Sequence, residues 1–270
     1  MKLGISSWTY TWAIGVNDYA PPCPLTPVDL VDKAVGLGVQ VIQVADNLPL
    51  HSLSVAQRQA LALAAAQQGI ELEVGAKGLT IQNVRRYIGI AGELGSRLLR
   101  IIVDSPGDTP EPDEIIRRLE SLLPALDTAG VTLGIENHDR MRARDLAAVV
   151  QRVDSARVGI CLDTVNSFGA LEGPEVVVNT LAPYVVNLHL KDFAIFRAAQ
   201  MMGFIIQGRP LGQGRTDIPW LLQTLADRGR DVNAIIELWT PDQGAVDANI
   251  ALEARWAAES VAHARQYIAG

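Results

Sequence analysis

Val158-Gly-Ile-Cys-Leu-Asp163-Thr-Val-Asn166 reads as a buried strand that stops at a carboxylate and a carboxamide. Val158, Ile160 and Leu162 alternate with small residues, as in a strand packed inside a parallel sheet, and polarity switches within one residue at Asp163. Three other stretches end the same way: Val131-Thr-Leu-Gly-Ile-Glu136-Asn137-His138, Val185-Val-Asn-Leu-His189-Leu-Lys191-Asp192 and Ala234-Ile-Ile-Glu237. An apolar run that repeatedly ends in a charged or ligand-type residue points to a sheet whose strand ends share one site.

Working outward, apolar runs of strand length fall at 3–6, 39–44, 71–74, 98–103, 131–136, 158–163, 185–189 and 234–237. Helical spacing separates them at 27–37, 55–68, 81–94, 112–129, 144–152 and 218–228, and a last helix is expected over 249–268. Eight strands alternating with helices in 270 residues predict a single (β/α)8 barrel domain over 1–270, with its active site at the C-terminal ends of the strands. An open doubly wound sheet is the competing architecture. It is disfavoured because Ser6-Ser-Trp-Thr-Tyr, and no Gly-rich dinucleotide fingerprint, follows the first strand. Gly36 and Gly38, Gly69, Gly95 and Gly130 fall where left-handed helix caps are expected. Two connections are long: 9–26, with Tyr10, Trp12, Tyr19 and Pro21-Pro-Cys-Pro24, and 193–217, with Phe193, Phe196, Met201, Met202 and Phe204. Both follow strand C-termini, where long loops serve as lids or specificity elements, or pack on the scaffold or a second subunit.

A net charge of −7 offers no basic stripe for phosphate neutralisation, so the expected partner is a small molecule and not nucleic acid. Cys23 and Cys161 form no disulfide framework, which suits a reducing compartment. Neither a secretory h-region nor a membrane-spanning run is visible, and a cytoplasmic location is expected.

In a closed barrel, the ends of strands five to eight face one cavity, so Glu136, Asp163, His189 and Glu237 become neighbours. Three carboxylates gathered without a counter-ion repel one another, and a divalent cation holds them together. One imidazole with three carboxylates is a mostly hard donor set, pointing to one Mn²⁺ ion, with Mg²⁺, Co²⁺ or Zn²⁺ as alternatives.

The runs Ile135-Glu-Asn-His-Asp139, Cys161-Leu-Asp-Thr-Val-Asn-Ser-Phe168, Asn187-Leu-His-Leu-Lys-Asp192 and Ile236-Glu-Leu-Trp239 resemble those of the xylose isomerase-like TIM barrel superfamily of sugar phosphate isomerases and epimerases. The resemblance spans essentially the whole chain. It implies that Glu136, Asp163, His189 and Glu237 bind the metal and that the two glutamates also exchange protons with the substrate. The superfamily's Gly-Glu-Gly turn after the seventh strand stands here as Gly212-Gln213-Gly214, which removes the acid from that turn. His138, Asn166, Lys191 and Asp192 lie beside the ligand positions as substrate or ligand-orienting contacts. Arg197 and Arg209, in the second long loop, are the candidates to grip an anionic group. His51 and His263 are expected to be structural.

The leading expectation is a metal-dependent isomerase or epimerase of a ketose or keto-sugar derivative. A divalent ion chelated by a ketone and the adjacent hydroxyl stabilises an enediolate, while Glu136 and Glu237 move the proton. The alternative is a lyase. Leu3-Gly-Ile-Ser-Ser-Trp-Thr-Tyr-Thr-Trp-Ala-Ile-Gly-Val and Val44-Ala-Asp-Asn-Leu-Pro-Leu look similar to a branch that decarboxylates 3-oxo sugar acids such as 3-oxo-isoapionate. There the same enolate forms as CO₂ leaves, and one glutamate donates a proton. An abasic-site endonuclease needs more histidine than the four present and a DNA-facing surface. A noncatalytic sugar-binding barrel has no reason to keep four ligand-type strand ends. The superfamily's habit of pairing at the barrel mouth makes a homo-oligomer an expectation.

Overall fold

The computed structural model describes residues 1–16 and 19–268. Residues 17 and 18 of the first long loop and the last two residues of the expected domain lie outside them. The strands are β1 (Leu3–Ser6), β2 (Val41–Val44), β3 (Glu71–Lys77), β4 (Leu98–Ile102), β5 (Thr132–Glu136), β6 (Val158–Asp163), β7 (Val185–Leu190), β8 (Asp192–Arg197), β9 (Phe204–Arg209) and β10 (Ala234–Ile236). The helices are α1 (Thr11–Ile14), α2 (Pro27–Leu37), α3 (Val55–Gln67), α4 (Ile81–Leu94), α5 (Pro112–Ala129), α6 (Ala143–Val153), α7 (Pro174–Leu181), α8 (Ile218–Asp227) and α9 (Val246–Ala264).

Eight of the strands close into a parallel barrel in the order β1-β10-β7-β6-β5-β4-β3-β2, with helices between them: a single (β/α)8 barrel. Closure comes from β1, which pairs in parallel with β2 on one side and β10 on the other. Side chains such as Ile42, Leu99, Ile101, Leu133 and Ile160 are wholly buried in one continuous core with the helices' inner faces. Helix starts are fixed locally. Thr26, Ser54 and Thr80 each accept a hydrogen bond from the third residue on, at the heads of α2, α3 and α4. At the other ends Gly38, Gly95 and Gly130 adopt the left-handed conformation expected of caps. Gly36 differs: it lies inside α2 and caps nothing.

Two elements depart from the sequence reading. Pro174-Glu-Val-Val-Val-Asn-Thr-Leu181 forms α7, although three consecutive β-branched residues argue against a helix. Burial of Val177, Val178 and Leu181 on one face overrides that preference. The second long connection is not a loop throughout, because β8 and β9 pair antiparallel from Asp192↔Arg209 to Arg197↔Phe204. This hairpin stands outside the barrel sheet and leaves Met201, Met202, Phe204, Ile205 and Ile206 exposed. No described helix is long and apolar enough to cross a membrane.

Candidate metal centre and active site

Glu136 ends β5, Asp163 ends β6, His189 sits in β7 and Glu237 directly follows β10. The register pairs Glu136 with Cys161 and Asp163 with His189 on neighbouring strands, which sets the donors at one level of the barrel. All four are buried, and one donor atom from each lies within 4.8 Å of the others. His189 Nδ1 is 3.4 Å from Glu237 Oε1, 3.7 Å from Glu136 Oε1 and 3.7 Å from Asp163 Oδ2. Ligands about 2.0–2.2 Å from a common ion stand at separations of this order. His189 Nδ1 and Glu237 Oε1 are fully buried yet hydrogen-bonded to nothing among the described residues. Buried polar atoms without a partner are costly, and two that point at each other and at two further carboxylates suit a cation. The donor set therefore fits one divalent ion.

Local hydrogen bonds fix these side chains before any ion arrives. Asp163 Oδ1 accepts from the backbone N–H of Val165 and Asn166, both at 2.9 Å, which turns Oδ2 toward His189. Asn137 ties β5 to β6, accepting from Asp163 N–H and donating to Asp163 O and Ser167 Oγ. Asn166 Nδ2 donates to Glu136 Oε1 at 2.6 Å.

Two buried cations complete the cluster. Arg100, in the middle of β4, pairs through Nε with Glu136 and through Nη1 with Asp46 at 2.7 Å. Lys191 Nζ bridges Asp163 Oδ2 at 2.6 Å and Glu237 Oε2 at 2.7 Å. Burial by itself would raise the Glu136 pKa, but Arg100, His189 and Lys191 outweigh it and hold the carboxyl well below the usual range. Burial likewise opposes ionisation of Asp163, and Lys191 together with His189 reverses the sign. Lys191 shifts upward for the complementary reason, its burial outweighed by Asp163, Glu237 and Glu136.

Above the donors opens a cavity of about 370 Å³ lined by Glu136, His138, Asn166, Lys191, Glu237 and Arg100, with Trp8, Trp12 and Trp239 as its aromatic walls. Trp8 and Trp12 come from the segment after β1, and Trp12 belongs to the first long connection, 9–26, which thus contributes to the cavity wall. Glu253 of α9 holds that segment, accepting from the backbone N–H of Trp12 at 2.8 Å and of Ala13 at 2.7 Å.

Among the expected contacts, Asn166 and Lys191 lie against the ligands, and His138 stands half-buried at the rim with Nδ1 3.0 Å from Asp139. Asp192 faces elsewhere. It accepts from the backbone N–H of Phe193, Gly212, Gly214 and Thr216 and so anchors the turn that follows β9. Gln213 is exposed and donates to Glu259, so position 213 points away from the cavity. Gly212 and Gly214 are required on both sides of it, since a Cβ would collide with His263 in one case and Asp192 in the other. Arg197 and Arg209 stack on Phe204 and Phe196 in the hairpin and do not line the cavity. His51 bonds Tyr87 Oη, and His263 packs on Tyr267, both away from the centre.

The sequence reading missed Arg100, Asp46, Gln43 and Glu73. A signal for Arg100 and Gln43 existed, a charge within Leu98-Leu-Arg-Ile-Ile102 and an amide within Val41-Ile-Gln-Val44, each breaking an otherwise apolar strand.

A family description of xylose isomerase-like TIM barrels matches residues 31–267. The chain is 34% identical over 261 residues to 3-oxo-isoapionate decarboxylase of Pectobacterium atrosepticum, covering 97% of this chain and 94% of that protein. Among solved structures, D-psicose 3-epimerase in the presence of D-fructose superposes over the full length of both chains with a TM-score of 0.75 at 16% identity. A xylose isomerase-like TIM barrel protein of Mycobacterium smegmatis in complex with magnesium gives 0.70 at 14% identity, covering 96% and 97% of the two chains. At such identities the structural likenesses speak for the fold alone. With most of its length inside the family description and a full-length relative at 34% identity, the chain belongs to the xylose isomerase-like TIM barrel family.

Proposed function

We propose that the protein is a divalent-metal-dependent carboxy-lyase acting on a 3-oxo sugar acid. Glu136, Asp163, His189 and Glu237 would hold the ion, and three carboxylates with one imidazole suit a hard cation. When bound, a divalent ion supplies Lewis-acid stabilisation of the charge that develops on a ketone oxygen.

The observation that carries the reading is Lys191. Asp46, Glu136, Asp163 and Glu237 present four carboxylates, and Arg100 and Lys191 two cations, so one divalent ion brings the group to neutrality. Without Lys191 the loaded site would remain negative and repel a carboxylate substrate. With it, an oxo acid can enter a cavity walled by tryptophan. The two glutamates are also unequal. Arg100 holds Glu136 ionised and unsuited to giving up a proton, whereas Glu237 is paired not with a guanidinium but with the Lys191 ammonium, 2.7 Å away.

In the reaction the bond between the carboxylate carbon and the neighbouring carbon breaks. Its electron pair enters the enolate of the adjacent ketone, CO₂ departs, and one proton is taken up at carbon from the Glu237–Lys191 side. The 34% identity to 3-oxo-isoapionate decarboxylase supports this assignment. Isomerisation or epimerisation of a ketose, the leading expectation from sequence, uses the same enolate chemistry but asks both glutamates to cycle protons, which the Arg100–Glu136 pair opposes.

The test reloads metal-stripped protein with Mn²⁺ and offers 3-oxo sugar acids and ketoses in D₂O. CO₂ release with one deuterium in the product is expected from the oxo acid. Deuterium exchange into ketoses, with no CO₂ from any oxo acid, would replace the lyase by the isomerase.

A further inference from the structure

Beneath the donor level the barrel is not filled with aliphatic side chains. Gln43 of β2, Glu73 of β3 and Asn187 of β7 are all buried and bonded to one another. The Gln43–Asn187 bond joins strands that are not neighbours in the sheet, so this layer crosses the lumen. Glu73 is a buried carboxylate with no cation beside it among the described residues. Gln43 Nε2 and Asn187 Nδ2 donate to its Oε2, each at 3.0 Å, and Asn233 Nδ2 donates to Oε1 at 2.8 Å. A buried ionisable side chain that takes no part in the chemistry is costly, and its hydrogen bonds suggest what it does.

Those bonds determine the orientation of Gln43. Its Nε2 lies against two oxygens, Glu73 Oε2 and Asn187 Oδ1, and an inverted amide would set oxygen against oxygen at both contacts. Gln43 Oε1 is therefore held toward His189 Nε2, 2.8 Å away, and being an acceptor it requires that nitrogen to carry a hydrogen. Nδ1 is then the ring atom left facing Glu136, Asp163 and Glu237.

We infer that Glu73 and Gln43 are positioning residues for the metal centre: Glu73 orients the Gln43 amide, and Gln43 fixes the ring orientation and tautomer of His189 that turn Nδ1 to the ion. The effect reaches from β3 across the lumen to β7, and neither residue touches the substrate cavity. The inference rests on the metal-centre reading and is independent of whether the reaction is decarboxylation or isomerisation.

Calorimetric titration of metal-stripped protein with Mn²⁺ tests it without turnover. Gln43→Leu should weaken Mn²⁺ binding by about 10–100-fold, the range found when partners of ligating histidines are removed. Glu73→Gln, which keeps the side-chain shape, allows the Gln43 amide to invert and should lose a smaller part of the affinity. The exchange Gln43→Glu with Glu73→Gln restores an acceptor for His189 and a donor beneath it, and should recover affinity to within a few-fold of wild type. A purely space-filling role predicts no such recovery. Unchanged affinity in Gln43→Leu and Glu73→Gln, or loss in Gln43→Leu that the exchange leaves unrepaired, overturns the inference. Absence of Mn²⁺ uptake by the wild type overturns it together with the metal reading, whereas failure to release CO₂ leaves it standing.

Discussion

The two halves of the barrel contribute in different ways to one centre. β5, β6, β7 and the end of β10 supply all four donor side chains, and β2, β3 and β4 supply none. The second half instead provides the groups that hold the donors: Arg100 against Glu136, and Gln43 over Glu73 against His189. The donor half places charge at strand ends, where Glu136 and Glu237 line the cavity. The supporting half buries charge and amide within the strands, where each group is tolerable only with its partner in place. Ligand loss and support loss should therefore read out differently.

The largest effect is expected in the donor half. Asp163→Asn and Glu237→Gln each remove a charge from the donor set and should reduce Mn²⁺ binding and turnover by more than the roughly 100-fold that bounds removal of a supporting group. Calorimetry and steady-state rates check this, and full activity in both variants would dismiss the metal centre. In the supporting half, Arg100→Met leaves Glu136, buried, and Asp46, half-buried, without their cation and should cost about 3–5 kcal/mol in the metal-stripped protein. Urea unfolding measures it. Saturating Mn²⁺ should return part of that stability, because the ion supplies the charge that Glu136 has lost.

Glu253 supports the substrate wall more than the donors, and its effect depends on pH. Burial raises its pKa to about 7, more than the N–H groups of Trp12 and Ala13 and the charge of Lys33 lower it. The folded protein thus holds a proton there that an exposed glutamate, near 4.5, releases. The stability this contributes is present in full below the ordinary value and is lost as pH rises to about 7, by up to about 3 kcal/mol. Thermal unfolding of wild type compared with Glu253→Gln across that interval should show the slope in the first and its reduction in the second. The smallest effect is expected outside both halves. Met202→Ser, on the exposed tip of the β8–β9 hairpin, should change stability by no more than about 0.5 kcal/mol and leave Mn²⁺ affinity untouched.

What could be read in the sequence follows the same division. Strands β1 and β6 and helices α2, α4 and α5 have the boundaries their sequence patterns predict, because apolar periodicity, Ser or Thr caps and terminal glycines are local signals. The donor residues were legible for a related reason: Glu136, Asp163, His189 and Glu237 each interrupt or end an apolar run, and eight-fold phasing implies that they meet. Local pattern showed no helix at α7, where Val176-Val-Val178 sets three β-branched residues in a row, and in the 193–217 segment a hairpin forms from what reads as loop.

The roles of the remaining polar residues were decided by tertiary structure. Lys191, between β7 and β8, and Asp192, the first residue of β8, are adjacent, yet one side chain enters the carboxylate cluster and the other accepts from the backbone of residues 212–216. Arg197 and Arg209 carry the charge an acid substrate needs but stack on hairpin phenylalanines, while Arg100, 36 residues upstream of Glu136 in sequence, pairs with it across adjacent strands. Sequence alone determined the barrel and the candidate donor set, since both arise from the order and period of apolar residues. Only closure of the barrel decided which buried charges face one another, because those pairings join residues far apart in the chain that no local pattern relates.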